Sequence, residues 1–146
     1  MNICVYKEFT FDAAHALDGY SGKCKNIHGH TYHLKIGVVG VPNGDGTSSD
    51  FGMVMDFKEL KALFKTEIES RFDHQLILKD DSRFLNNVED MTAVRVVPYQ
   101  PTCENMLGEI VTILQQKLPK EVKLYNVSLR ETSTSYAEWN LEMQSL

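Results

Sequence analysis

The sequence predicts a single α+β domain in which a four-stranded antiparallel sheet carries two helices on one face, in the order ββααββ. Three observations predict this class. Two segments at the start of the chain alternate apolar and polar residues, two central segments repeat apolar residues at helical spacing, and two short alternating segments end the chain. At 146 residues the chain is long enough for one hydrophobic core, so we expect residues 1–146 to form one domain.

The composition narrows the classes of function. The formal net charge is -5 and the Lys and Arg residues are not clustered, so we expect no nucleic-acid partner. The longest apolar run, at 36–41, is far too short to cross a bilayer, and the first residues lack a signal-peptide pattern. We therefore expect a cytoplasmic protein without a membrane partner. Three cysteines at unpatterned spacings predict reduced thiols.

The first strand is predicted over residues 3–15 and the second near 29–41, because side chains in a strand alternate between its two faces. His15 shares a face with the apolar residues of the first strand. His28 and His30 share a face with Leu34 and the other apolar residues of the second strand. His33 is predicted to point to the opposite face.

The central part of the chain begins with a turn. The PNGDG sequence at 42–46 predicts that the second strand returns as a hairpin arm. Asp56, with a glutamate three residues later, resembles a capping box and predicts a helix that runs to about Phe72. The segment 75–100 is rich in Asp and Asn, and we expect it to be irregular.

The last third of the chain supplies one helix and two strands. Thr102 is a predicted cap for a second helix, whose apolar stripe ends at Pro119. Two short strands are predicted near 122–131 and 135–143.

Three histidines, His15, His28 and His30, indicate a metal centre. Three neutral imidazoles are a frequent ligand set of catalytic zinc, which keeps a fourth position open. One histidine on an apolar face is usually a hydrogen-bonded core residue, but three on converging faces favour metal binding over that alternative. Such sites also accept iron, cobalt or nickel.

Other candidate residues are less specific. Cys24 is flanked by Lys23 and Lys25, which favour a reactive thiolate over the inert buried thiol that is the usual alternative. Asp73-His74 at a helix end could be a functional pair or a solvated histidine, since adjacent side chains seldom hydrogen-bond to each other.

Two glutamates are candidate site residues, but each also has an ordinary structural explanation. Glu104 lies in the first turn of a helix, where the helix dipole alone favours a carboxylate. Glu131 ends a predicted strand, where most carboxylates are exposed and have no function.

Together, these motifs resemble the 6-pyruvoyltetrahydropterin synthase family, which includes 6-carboxytetrahydropterin synthases (QueD). The resemblance covers nearly the whole chain in ordered short motifs: FDAAHAL at 11–17, GKCKNIHGHTY at 22–32, DFGMVMDFKELK at 50–61, FDHQLIL at 72–78, PTCEN at 101–105 and LRETSTSYAEW at 129–139. The segment 79–97 departs from the family pattern and makes the run after the Asp-His pair hard to place.

The resemblance implies the tunnelling fold (T-fold), in which sheets pair edge to edge as trimeric barrels that stack into a homohexamer. It also assigns roles to the residues that match the family motifs. His15, His28 and His30 would bind Zn²⁺, and Cys24 would be the catalytic thiol, completed by Asp73 and His74 across a subunit boundary. Glu131 would anchor the pterin ring, with Glu104 and Thr102 near the pterin.

The activity that the resemblance implies is a zinc-dependent lyase acting on 7,8-dihydroneopterin triphosphate. Cys24 precedes His28 by four residues, a spacing similar to that of the family members that form 6-carboxy-5,6,7,8-tetrahydropterin, acetaldehyde and triphosphate for queuosine-type deazapurines. The alternatives are a 6-pyruvoyltetrahydropterin synthase, which only eliminates triphosphate, a non-catalytic pterin-binding zinc module, and a zinc hydrolase with water on the metal.

Overall fold

The computed structural model describes residues 1–145. Its strands are β1 (Ile3–His15), β2 (His28–Gly40), β3 (Gln75–Lys79), β4 (Val94–Val97), β5 (Lys123–Arg130) and β6 (Tyr136–Asn140). Its helices are α1 (Phe57–Leu63), a π-helical segment (Phe64–Glu69), α2 (Ser70–Phe72) and α3 (Cys103–Lys117). Short 3-10 turns lie at Lys23–Lys25, Leu85–Asn87 and Glu142–Ser145.

All of these strands form one sheet in the order β4-β3-β1-β2-β5-β6. Strands β1 and β2 pair antiparallel along their whole length, with His15 opposite His28 at one end. Strand β5 pairs antiparallel with β2, and β6 with β5. Strand β3 is parallel to β1 and pairs only with its last residues, 13–15, and β4 is parallel to β3.

The expectation of a four-stranded antiparallel sheet is therefore wrong in strand number and direction. The predicted antiparallel strands are present, but β3 and β4 extend the sheet and make it mixed. Both lie in the segment 75–100 that was expected to be irregular. Its Asp and Asn residues mark the loop 80–93, whereas the short runs QLILK and VRVV beside it are strands. Runs this short carry too little periodicity to be recognised.

The first helix winds without interruption from α1 through the π-helical segment to α2 and ends at Phe72, as predicted. The Asp56 carboxylate caps it by accepting the Lys58 N–H at 2.8 Å. In a regular α-helix, apolar residues spaced by four would rotate about 40° per step away from the sheet. The wider π-helical turn reduces this drift, which keeps one row of side chains in the core: Leu60, Phe64, Ile68 and Phe72.

Helix α3 begins at the predicted cap, where the Thr102 hydroxyl accepts the Asn105 N–H at 3.2 Å. The first helix and α3 pack on the same face of the sheet, as expected. The core between them includes Phe11, Tyr32, Leu34, Ile36, Val38, Met106, Ile110, Val111, Leu114, Val127 and Leu129. This layer fixes the positions of β1, β2 and β5, which carry the candidate site.

The loop after β3 covers the opposite face of the sheet at one end. Ile77 belongs to the main core, whereas its neighbours Leu76 and Leu78 point the other way and pack with Ala16 and Val88. The unpredicted strands thus have a small core of their own.

The predicted hairpin arm after β2 is absent. The chain does reverse, because the Asn43 N–H donates to the Met53 oxygen and the Gly52 N–H to the Asn43 oxygen, each at 2.8 Å. Residues 41–56 nevertheless form successive turns and no strand. Among residues 1–145, none of the helices combines the length and apolar composition that crossing a membrane requires.

Candidate metal centre and adjoining cavity

Three imidazoles meet at one end of the β1–β2 pair. The register places His15 opposite His28, and His30 lies two residues further along the same face of β2. Their potential ligand atoms all lie within 4.8 Å of one another, and the Nε2 atoms of His15 and His28 are 3.1 Å apart. His33 is exposed on the other face, as predicted. The three histidines expected to converge are thus brought together.

Main-chain oxygens orient two of these rings. The Nδ1–H of His15 donates to the Pro101 oxygen at 2.6 Å, and the Nδ1–H of His28 donates to the Asn26 oxygen at 2.8 Å. When Nδ1 carries the proton, Nε2 keeps a free lone pair for a metal ion. The Nε2 atom of His30 is buried and has no hydrogen-bond partner among the described residues.

Burial favours the neutral form of two of these histidines, His15 and His30. It lowers the pKa of His15, an effect that the hydrogen bond to Pro101 opposes and the neighbouring His28 ring reinforces. Burial likewise lowers the pKa of His30, with Glu131 opposing the shift and His28 adding to it. Neutral imidazoles are the form in which histidine binds metal ions.

Glu131 adjoins the imidazole cluster. Its Oε1 atom lies 3.4 Å from Nε2 of His15 and 3.5 Å from Nε2 of His30. The Tyr32 hydroxyl donates to the same oxygen at 3.4 Å. Tyr32 is fully buried, and burial together with the nearby carboxylate raises its pKa, so the phenol stays a neutral donor. Glu131 thus connects the histidines to the cavity beside them.

That cavity has a volume of about 280 Å³ and gathers four residues that the sequence singled out: Cys24, Thr102, Glu104 and Glu131. Tyr20 and Tyr136 add aromatic rings to its wall. A thiol, a hydroxyl and two carboxylates therefore face one space next to the imidazole cluster. Such a mixture of aromatic walls and a few polar groups is typical of small-molecule sites.

Cys24 and Cys103 differ in their surroundings. Cys24 is exposed on the 3-10 turn Lys23–Lys25. Cys103 begins α3 and also lines the cavity, and its thiol donates to the Leu129 oxygen at 3.2 Å. Burial raises the pKa of Cys103 to about 11, so this second thiol stays protonated at neutral pH.

Asp73 and His74 form a hydrogen-bonded pair. The His74 Nδ1–H donates to Oδ2 of Asp73 at 2.7 Å, a contact that adjacent residues seldom make. His74 adopts a left-handed backbone conformation with φ of 58°, and this bend brings its ring back onto its neighbour. The main chain of Asp12 holds both residues: its N–H donates to Oδ1 of Asp73 at 2.9 Å, and its oxygen accepts the His74 N–H at 2.6 Å.

The charges of the pair support each other. The Asp73 carboxylate raises the pKa of the His74 imidazole. Burial alone would raise the pKa of Asp73, but the hydrogen bonds from Asp12 and His74 outweigh it, and the pKa is lowered. Asp73 is therefore ionised at neutral pH and oriented towards the ring.

The pair does not share the Cys24 cavity. His74 lines a separate cavity of about 550 Å³ together with His30, Asp12 and Met91. Within one chain, the predicted thiol and the predicted Asp-His pair thus lie on different cavities.

Three groups at the site were not predicted from the sequence. The oxygens of Pro101 and Asn26 orient the histidines, and main-chain atoms leave no residue-specific signal. Tyr32 could have been found, because it follows His30 by two residues and so shares its strand face.

The fold and the site define an α+β protein with a candidate three-histidine metal centre beside a small-molecule cavity. Residues 4–142 match the family described as 6-pyruvoyl tetrahydropterin synthase. The chain belongs to this family of tetrahydropterin synthases, and the resemblance found in the sequence is confirmed.

Individual relatives carry narrower names. The chain is 34% identical over 140 residues to the 6-carboxy-5,6,7,8-tetrahydropterin synthase of Haemophilus influenzae, with 92% of this chain and 96% of the relative covered. It is 33% identical over 136 residues to the synthase of the same name from Synechocystis, with 92% and 91% covered.

Solved structures share the fold. An uncharacterised protein from Wolinella succinogenes has a TM-score of 0.79 at 20% identity, over 97% of this chain and 99% of its own. The 6-pyruvoyl tetrahydropterin synthase of Caenorhabditis elegans has a TM-score of 0.67 at 25% identity, with 96% of each chain covered. These likenesses support the T-fold, here with β3 and β4 added to the expected strands.

Proposed function

We propose that this protein is a zinc-dependent lyase that converts 7,8-dihydroneopterin triphosphate and one water molecule to 6-carboxy-5,6,7,8-tetrahydropterin, acetaldehyde and triphosphate. The observation that carries the proposal is the joint position of Glu131, which contacts His15 and His30 and lines the cavity that holds Cys24. The proposed metal ligands, the proposed pterin anchor and the thiol therefore lie next to one another. The names of the relatives, including the Haemophilus protein, support the 6-carboxy product.

The three imidazoles fit a zinc ion. They offer neutral nitrogen donors, and the buried Nε2 of His30 lacks a partner that a metal ion could supply. When bound, zinc would act as a Lewis acid on the hydroxyl groups of the substrate side chain. Three imidazoles also accept iron, cobalt or nickel, so the assignment of zinc as the metal is part of the proposal.

The remaining roles follow from position. Glu131 would accept two hydrogen bonds from the 2-amino group and the adjacent ring N–H of the pterin, since a carboxylate matches such a donor pair. Thr102 and Glu104 would complete the wall of the pterin cavity. Cys24, exposed at the cavity, would take a proton from a side-chain carbon. His74 would move protons through Nε2, because Asp73 holds its Nδ1 and stabilises the charged ring.

We propose that the chain works as a homohexamer, a dimer of trimers, with each active site at a subunit boundary. Two features support this assembly. In the described chain, residues 3–12 of β1 pair with β2 on one side only, and β6 is the opposite edge of the sheet. Free edges of this kind readily pair with another strand. In addition, Cys24 and His74 lie on separate cavities, and a second chain could unite them.

A cytoplasmic location and a place in deazapurine synthesis complete the proposal. The described cysteines are all unpaired, and a reducing compartment keeps the sulfur of Cys24 reduced, as this chemistry requires.

A 6-pyruvoyltetrahydropterin synthase is the second candidate function. The name of the Caenorhabditis elegans structure favours it. Both reactions would use the same metal ligands, thiol and pterin anchor, so the difference lies in whether the substrate side chain is cleaved.

Product analysis tests the proposal. Purified zinc-loaded protein is incubated with 7,8-dihydroneopterin triphosphate, and the products are identified by mass spectrometry. A 6-carboxy product with acetaldehyde supports the proposal, and a pyruvoyl product supports the second candidate. Absence of consumption by metal-loaded protein contradicts both and favours a non-catalytic pterin-binding module.

A further inference from the structure

Arg83 connects the loop after β3 to the turn that carries Cys24. Its Nη2 donates to the main-chain oxygen of Lys25 at 2.8 Å, at the end of the 3-10 turn. Its Nε lies 3.3 Å from Oδ1 of Asp18, near the start of the connection between β1 and β2. The guanidinium stacks over Phe84, 4.5 Å from the ring centroid. One side chain therefore bridges both ends of the segment around Cys24.

The Asp18 carboxylate depends on this contact. Both of its oxygens are buried and lack a hydrogen-bond partner, and within residues 1–145 Arg83 is the cation in ion-pair range. A buried carboxylate is costly unless a cation compensates it. The main chain at Asp18 is held independently, because the Gln100 amide donates to its oxygen at 2.8 Å. Asp18 is thus a fixed point to which Arg83 attaches.

The Cys24 turn has little else to hold it. None of its residues is buried, so hydrophobic packing does not fix its position. Apart from bonds within the turn, the Leu17 N–H donates to the Cys24 oxygen at 2.9 Å. Segments with few buried contacts open readily, and a single fixed cross-link then has a large effect.

We propose that Arg83 is a positioning residue that holds the Cys24 thiol at the mouth of the pterin cavity. This rests on the proposed function insofar as Cys24 is the reacting thiol. It also gives the divergent segment between β3 and β4 a role: the segment folds back over the sheet and delivers a guanidinium to the turn. Arg83 is not among the residues lining the cavity and acts through Lys25 and Asp18.

The test is the substitution Arg83→Met, which keeps part of the stem and removes the charge. Because Lys23 and Lys25 are both trypsin sites, loosening of the turn should speed cleavage after these residues by about tenfold. A small displacement of a reacting group lowers turnover strongly, so kcat should fall by about tenfold or more. KM should stay within about twofold, because Glu131 keeps its contacts.

Three variants sharpen the result. Asp18→Asn should accelerate cleavage in the same way as Arg83→Met. Arg83→Lys keeps the charge next to Asp18 but lacks the second donor, and it should restore part of kcat. Lys117→Ala is the matched control, because Lys117 forms an ion pair with Glu67 at 3.2 Å and is 50% exposed, compared with 54% for Arg83. It should leave cleavage of the turn and kcat unchanged.

Unchanged cleavage of the turn in both Arg83→Met and Asp18→Asn would overturn the proposal. So would faster cleavage with unaltered kcat, which would make Arg83 a stabilising residue only. If the unmodified protein does not consume the pterin, the proposed function fails. Two measurements on the same variants then test separately whether Arg83 holds the turn. They are the rate of tryptic cleavage and the rate at which iodoacetamide alkylates Cys24.

Discussion

The Nδ1–H of His15 donates to the main-chain oxygen of Pro101 over 2.6 Å. This bond joins the last residue of β1 to the residue directly before the cap of α3, so the start of the helix that lines the Glu131 cavity also orients an imidazole. Both residues are buried. The ring of His15 therefore has a defined direction before any metal ion binds.

Replacing one histidine of the cluster should remove the metal. His28→Ala leaves two imidazoles. Loss of a residue that only hydrogen-bonds a metal ligand lowers metal affinity by up to about a hundredfold, so loss of a ligand itself should lower the zinc affinity by at least about a hundredfold. Metal content measured by mass spectrometry after dialysis checks this. His33→Ala is the control, because His33 lies on the opposite face of β2. Equal metal retention in the two variants would contradict the assignment.

Cys24→Ala should abolish turnover and leave the zinc content unchanged. The reason is that Cys24 lies in the adjoining cavity and not among the three clustered ligands. Cys4→Ala is the control, since Cys4 lies at the far end of β1 and should retain full activity. Loss of zinc together with activity would identify Cys24 as a fourth ligand, and surviving activity would favour a zinc hydrolase.

Glu131→Gln should weaken pterin binding. The amide keeps one acceptor but loses the negative charge, and a hydrogen bond to a charged group contributes about 1.5–3 kcal/mol, which corresponds to about tenfold to hundredfold in Kd. Fluorescence titration with a dihydropterin measures the loss. Glu138→Gln, at an exposed position of β6, should bind normally. Zinc content must be measured in parallel because Glu131 also contacts His15 and His30.

The protonation of His74 should depend on Asp73. Because Asp73 raises the pKa of His74 above the ordinary value of 6.5, the ring should be more protonated at pH 7 than a free histidine. The pair should therefore stabilise the fold below about pH 6.5, and this contribution is lost as the pH rises through the pKa of the folded state. Asp73→Asn should move the His74 titration, followed by NMR, down towards 6.5. An unshifted titration would show that the carboxylate is not the cause.

The strands that the sequence did not predict should contribute to stability. Leu78 on β3 is fully buried in the second core, and Leu78→Ala should lower the free energy of unfolding by about 2–5 kcal/mol. Urea denaturation measures the change. Val96→Ala on β4 is the control, since Val96 is 53% exposed and should cost much less. Similar small losses for both would mean that β3 is not part of the cooperative unit.

The sequence predicts those parts of the fold that local patterns determine. Alternation placed His15, His28 and His30 on one sheet face, and capping residues located both helices to within a few residues. Strands β3 and β4 were not predicted, because their pairing is parallel and non-local and because an Asp-rich loop separates them. The Asp73–His74 hydrogen bond was not predicted for another reason. It depends on a left-handed backbone conformation, which is uncommon for residues other than glycine.

Local patterns also could not assign residues to cavities. That Cys24 shares a space with Glu131, while His74 lines another cavity, depends on how the connection between β1 and β2 lies against the first residues of α3.

The left-handed bend at His74 makes one pair of dihedral angles responsible for two properties. The bend lets the chain leave the first helix and enter β3, and it also aims the imidazole at Asp73. Glycine adopts this conformation freely and would preserve the path of the chain while deleting the ring. Alanine would disfavour the bend and disturb both. The path of the chain and the side-chain chemistry therefore both constrain this one position, and of these three residues only histidine provides the ring as well as the bend.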